Sequence, residues 1–181
     1  ATRSGTPALT MLRTAVRRCP DAVVLPVDKP AYDAASAVVM DTLRAVPGAV
    51  VEVLGWDEAF VGVEADDPQA VAERIRADVL EATDLHCSVG IGDTKVRAKI
   101  ATEFGKPRGT FRLTRDTWFE VMGERPTKDL WGVGPRISQR LAGLGLMTVR
   151  DLAEAHDALL AAECGPQTGP WLGELGRGES S

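Results

Sequence analysis

The chain has 181 residues, 44% of them hydrophobic and 26% charged, with a formal net charge of −5. That size supports one good core with a small satellite domain, and no apolar run approaches the length needed to span a membrane. Three scattered cysteines (Cys19, Cys87, Cys164) without a C-x-x-C pair, and only two histidines (His86, His156), argue against a disulfide scaffold, a zinc site or a His-based triad.

In chain order, Leu9 to Cys19 reads as a helix that Pro20 stops, and Val23 to Pro26 as a short strand. Tyr32 to Val46 reads as a second helix, closed by Pro47-Gly48. Two β-branched runs follow, Val50 to Leu54 and Phe60 to Val63, joined through Gly55-Trp56-Asp57-Glu58-Ala59. Asp66-Asp67-Pro68 opens a third helix, with Val71, Ile75 and Val79 on one stripe. His86 to Ile91 is a strand, Lys95 to Phe104 a fourth helix, and Gly109 to Leu113 a last short strand. From Pro126 onward strand signals vanish, which places a boundary between about 114 and 126. Strands and helices mix without strict β-α alternation, and the hairpin forces antiparallel pairing. It predicts an α+β sheet with helices packed on one face, of the split β-α-β kind.

Three constellations carry chemistry. Asp57 and Glu58 put adjacent carboxylates at a bend between strands, an arrangement suited to hard divalent cations; the bland alternative is a solvated acidic turn. Lys95 and Lys99 share one face of the fourth helix, Asp93 or Thr94 can cap it, and Lys106 stands between Gly105 and Pro107 as a point charge on a rigid loop. The basic residues from Lys95 to Arg112 face one acid, Glu103, whereas Asp57 to Asp84 is strongly acidic, so a basic strip can meet phosphates on an acidic molecule. Finally, Trp131-Gly132-Val133-Gly134-Pro135 leads into a helix carrying Ile137, Leu141 and Leu144, with Arg136 and Arg140 beside it. Thr148 and Asp151 then cap another helix. This is a helix-hairpin-helix pattern, which grips a nucleic-acid phosphate through backbone amides.

Together, Asp57-Glu58-Ala-Phe, Ser88-Val-Gly-Ile-Gly, Lys95-Val-Arg-Ala-Lys-Ile-Ala, Gly105-Lys-Pro-Arg-Gly and Trp131-Gly-Val-Gly-Pro resemble the Y-family translesion DNA polymerases, most closely the bacterial polymerase IV branch. The match runs over about residues 11–178. The resemblance implies a partial fingers segment (1–22), a ferredoxin-like palm (23–120) and a helical thumb (121–181). It implies template-directed DNA synthesis across damaged DNA by two-metal nucleotidyl transfer, with two Mg²⁺ ions on Asp57 and Glu58. Lys106 would contact the incoming deoxynucleoside triphosphate. Gly132, Val133, Gly134, Arg136, Lys95 and Lys99 would contact primer-template DNA, and a sliding clamp would dock on a tail outside this sequence. The expected location is cytoplasmic, at the nucleoid.

The chain also departs from the family pattern. The usual Ser-x-Asp-Glu motif reads Gly55-Trp56-Asp57-Glu58 here, without the hydroxyl. Nothing upstream of Asp21 resembles the first catalytic strand with its further metal-binding Asp; Arg3-Ser4-Gly5 is at most a remnant of the fingers. The little-finger domain beyond the thumb has no counterpart either. The expectation is therefore an active parent polymerase and an inactive chain on its own. The alternatives are a non-catalytic, polymerase-like scaffold in damage tolerance, or a bare DNA-binding module on the helical corner.

Overall fold

A computed structural model describes residues 11–179 of the chain. The expected start of the first helix at Leu9 and the Arg3-Ser4-Gly5 remnant lie outside these residues. Within them the first helix, α1, runs Leu12–Arg18, and α2 runs Lys29–Arg44 from an Asp28 cap that accepts the Ala31 amide. The strand expected at Val23 to Pro26 is not formed. Val23, Val24 and Leu25 are exposed, and among the described residues no neighbouring strand supplies the ladder that an extended segment needs.

The hairpin forms as read. Strands β1 (Val50–Val53) and β2 (Ala59–Gly62) pair antiparallel, with Val51 opposite Val61 and Glu52 opposite Phe60. Alternation along the strands puts Val51, Ala59 and Val61 against the core and leaves Glu52 and Phe60 on the other face. Helix α3 (Pro68–Thr83) starts from the Asp67 cap. Strand β3 (Val89–Gly92), helix α4 (Lys95–Gly105) and strand β4 (Thr110–Leu113) make a β-α-β unit in which β3 and β4 run parallel. The chain is thus α+β, but the single expected sheet is divided. Among the described residues the strands form two separate two-stranded ladders, β1–β2 and β3–β4.

The rest is helical: α5 (Trp118–Met122), a 3₁₀ turn at Thr127–Asp129, α6 (Pro135–Gly143), α7 (Val149–Glu154), α8 (Asp157–Cys164) and α9 (Thr168–Gly176). Thr148 and Asp151 close a full capping box on α7, as the sequence indicated. Two apolar clusters hold the molecule. The smaller joins Met40 and Leu43 of α2 to Ile75 and Val79 of α3, over the core face of the hairpin. The larger joins Val96, Ile100 and Ala101 of α4 to Trp118, Leu141, Leu152, Leu160 and Leu172, so apolar packing runs straight across residue 120.

Polar contacts seal the same junction. Arg97, only 3% exposed, donates to Asp93 at 2.8 Å and to the Arg177 carbonyl at 3.0 Å. The Thr94 hydroxyl donates to the Gly178 carbonyl and the Trp118 indole N–H to the Gly176 carbonyl, both at 2.8 Å. Burial pushes the Asp93 carboxyl up, but the Arg115 amide and the Arg97 guanidinium outweigh it and hold the group below its ordinary value. The pair therefore stabilises the fold at neutral pH and is lost as acid protonates Asp93.

Helix α4 lies unusually close to β3. A Cβ built on Gly90 would sit 2.1 Å from the Ala98 carbonyl oxygen, a backbone atom that cannot swing aside. Gly90→Ala is expected to force helix and strand apart and destabilise the chain by about 1–3 kcal/mol, the usual cost of overpacking. A urea unfolding curve checks this; an unmoved midpoint would show that the contact is loose.

Candidate active site and nucleic-acid interface

Between β1 and β2 the chain turns on two backbone bonds, Leu54 N–H and Gly55 N–H both donating to the Glu58 carbonyl at 2.9 and 3.2 Å. Asp57 and Glu58 occupy the exposed end of this turn. Asp57 makes no side-chain hydrogen bond or ion pair among the described residues. Glu58 does: the Lys99 ammonium lies 2.6 Å from its Oε1. Four residues earlier on the same face of α4, Lys95 pairs with Glu52 and also stands 5.7 Å above the Phe60 ring.

This matching follows from two repeats meeting. Glu52 and Phe60 face each other across the ladder, and Glu58 lies two residues before Phe60, on the same side. Lys95 and Lys99, one helical turn apart, present their ammonium groups to that side. The sequence placed the two lysines on one face correctly but not their partners: here they bond the hairpin's own acids. Lys106 caps the end of α4 in an extended conformation (φ −74°, ψ 146°) and pairs with Glu103 at 2.6 Å.

The hairpin and β3 flank a cavity of about 650 Å³. Asp57, Glu58, Lys99 and Lys106 line it together with Phe60 and Val61 of β2 and Val89 to Gly92 of β3. Met40, Leu43, Ile75 and Val79 give it an apolar wall. Acids, lysines and two strands thus converge on one space. Two neighbouring carboxylates are hard oxygen donors of the kind Mg²⁺ takes. No group of three or more His, Cys, Asp or Glu residues placed to hold a metal ion occurs among the described residues.

The helix-hairpin-helix residues lie beyond the 3₁₀ turn. Gly132 has φ +96°, and its Cα faces the Trp171 ring, where an added Cβ would come within 3.1 Å. Gly134 differs: it has an ordinary extended backbone (φ −78°, ψ 172°) and nothing within 4 Å of an added Cβ. Val133 between them is buried in the larger core. Pro135 opens α6, whose first-turn amides have no intrahelical acceptor and leave the helix beside the open space at Gly134. Arg136 sits in that first turn, and Arg140 in the last. Trp131, just ahead, meets Phe60 edge to face at 6.2 Å, which links this loop to the hairpin.

One group of residues escaped the sequence reading. Tyr32, Asp33 and Lys29 of α2 gather around Trp56, more than twenty positions away, and only the presence of a tryptophan in a turn hinted at a partner.

Comparison with known proteins gives the class to which this fold belongs. Residues 1–103 match the model of the impB/mucB/samB family. The chain is 50% identical over 173 residues to DNA polymerase IV 2 of Mycobacterium tuberculosis (strain ATCC 25618 / H37Rv), covering 94% of this chain and 49% of that one. It is 31% identical over 156 residues to DNA polymerase IV of Glaesserella parasuis serovar 5 (strain SH0165), covering 83% and 44%. Among solved structures, DinB from Sulfolobus solfataricus superposes with a TM-score of 0.82 at 26% identity, covering 98% of this chain and 53% of that one. An insertion ternary complex of Dbh DNA polymerase gives 0.84 at 26% identity, covering 98% and 53%. These relatives are DNA-directed DNA polymerases of the Y family, and the chain is homologous to them. It belongs to the impB/mucB/samB family, as a homologue of DNA polymerase IV. It spans about half the length of the curated relatives it matches.

Proposed function

We propose that the protein to which this chain contributes is a translesion DNA polymerase, extending a primer on a template by nucleotidyl transfer. The observation that carries this is the convergence of Asp57, Glu58, Lys99 and Lys106 on one cavity beside the hairpin. In this reading residues 23–120 are a ferredoxin-like palm and 121–181 a thumb, with 1–22 a part of the fingers. Asp57 and Glu58 would hold Mg²⁺, which when bound supplies electrostatic stabilisation of the attacking and leaving oxygens. Lys99 keeps Glu58 oriented toward the cavity, and Lys95 steadies the strand behind it through Glu52. Lys106, at the rim, offers a charge to the triphosphate of the incoming nucleotide.

Two further parts complete the proposal. The cavity is bordered by β2 on one side and β3 on the other, and a strand seated there would join both ladders into one sheet and could bring a further carboxylate to Asp57 and Glu58. Gly132 to Gly134, with Arg136 at the start of α6, would grip the DNA backbone without reading its sequence.

Primer extension by the whole protein tests the assignment. Asp57→Ala is expected to reduce extension at least about a thousandfold, because a lost metal carboxylate removes stabilisation made in the transition state. Undiminished extension would overturn the role given to Asp57.

The phosphate grip has its own test. Gly134→Ala meets no atom and no backbone strain, so the unfolding midpoint should stay where it is. The new methyl would fill the space left for the phosphate, and affinity for duplex DNA, measured by fluorescence anisotropy, should fall about three- to tenfold. Unchanged affinity would place the DNA contact elsewhere.

A further inference from the structure

The turn carrying Asp57 and Glu58 has little of its own to hold it still. Its two closing bonds both end on one carbonyl, that of Glu58, and Gly55 loosens the chain beside them. Trp56 supplies what is missing. Its indole stacks on the Tyr32 ring, with centroids 5.4 Å apart and planes 20° from parallel. Its N–H donates to Asp33 Oδ1 at 2.8 Å. The Lys29 ammonium bonds the other oxygen of Asp33 at 2.7 Å and lies 5.8 Å from the indole centroid. Lys29, and after it the indole N–H, hold the Asp33 carboxyl below its ordinary value.

Tryptophan is an expensive residue to place in a turn for its bulk alone, and here bulk is not what it contributes. Trp56 remains 42% exposed and Tyr32 55% exposed, so neither ring fills a core. What the arrangement provides is direction: one stacking contact and one charge-assisted hydrogen bond, both made to the first turn and a half of α2. That helix is fixed at its start by the Asp28 cap and farther along by the buried Met40 and Leu43. The residue next to Asp57 is thereby tied to a rigid element instead of to the turn itself.

We infer that Trp56 is a positioning residue, which anchors the carboxylate turn to α2 and so holds Asp57 and Glu58 ready for a divalent cation. The second half of this statement rests on the function proposed above; the first half does not. A site held in place before the ion arrives does not have to spend binding energy on ordering its ligands. Tyr32 and Asp33 act through Trp56 and touch neither acid.

The test uses this chain and MnCl₂ as the probe, with amide hydrogen exchange and Mn²⁺ affinity by electron paramagnetic resonance as separate readouts. Trp56→Ala is expected to speed exchange of the Leu54 and Gly55 amides about tenfold and weaken Mn²⁺ binding several-fold, about three- to tenfold, while the urea midpoint stays put because the ring is exposed. Trp56→Phe keeps the stack without the N–H and should lie between; Tyr32→Ala should lie between as well. Exchange and Mn²⁺ affinity both unchanged in Trp56→Ala would overturn the inference, as would a fall in affinity matched by loss of the whole fold. Faster exchange in a chain whose wild type binds no Mn²⁺ at the turn would uphold the anchor and overturn the metal reading instead.

Discussion

Helix α4 is the constraint on which the structure turns, because each of its sides is committed to a different neighbour. Ala98 presses on the glycines of β3, Val96, Ile100 and Ala101 enter the larger core, and Arg97 binds the carbonyl of Arg177 after α9. Lys95 and Lys99 reach out to the hairpin. Eleven residues thus locate the parallel ladder, the carboxylate turn and the helical C-terminal part against one another. The close approach to β3 is what makes this possible. With side chains at positions 90 and 92 the helix would ride higher, and its lysines would no longer meet Glu52 and Glu58 at bonding distance.

Burial and charge are divided unevenly around the cavity, and the division has a chemical meaning. Its apolar wall belongs to the smaller cluster, while Asp57, Glu58, Lys99 and Lys106 are among its charged lining. Lysine beside an acid lowers the local negative charge when no cation is there, and the ammonium's flexible stem lets it withdraw when one is. An arginine in that place would hold a carboxylate bidentately and be harder to displace. Asp57, without a partner among the described residues, is the side chain left open to a first contact.

Much of this was legible in the residues. The hairpin, the Asp67-capped α3, the Thr94-capped α4 and the capping box on α7 follow from short-range rules, and the structure has all of them. What could not be read depended on pairing at a distance. Val23 to Leu25 has the composition of a strand but no strand partner among the described residues, and it stays exposed. The two ladders cannot be foreseen from alternation, since strand propensity says nothing about which edges meet. That Lys95 and Lys99 meet Glu52 and Glu58 could not be read, because those acids are about forty residues away; Trp56 and α2 are hidden from each other in the same way.

The claim at the centre is that the turn at Asp57 and Glu58 is where a divalent cation meets this chain. Titrating a ¹⁵N-labelled sample with substoichiometric Mn²⁺ and following paramagnetic broadening of the amide signals addresses it directly. Broadening should begin at Asp57 and Glu58, extend across to Lys99, and vanish in Asp57→Asn. Broadening confined to the acidic stretch from Asp66 to Asp84, or unchanged by that substitution, would contradict it.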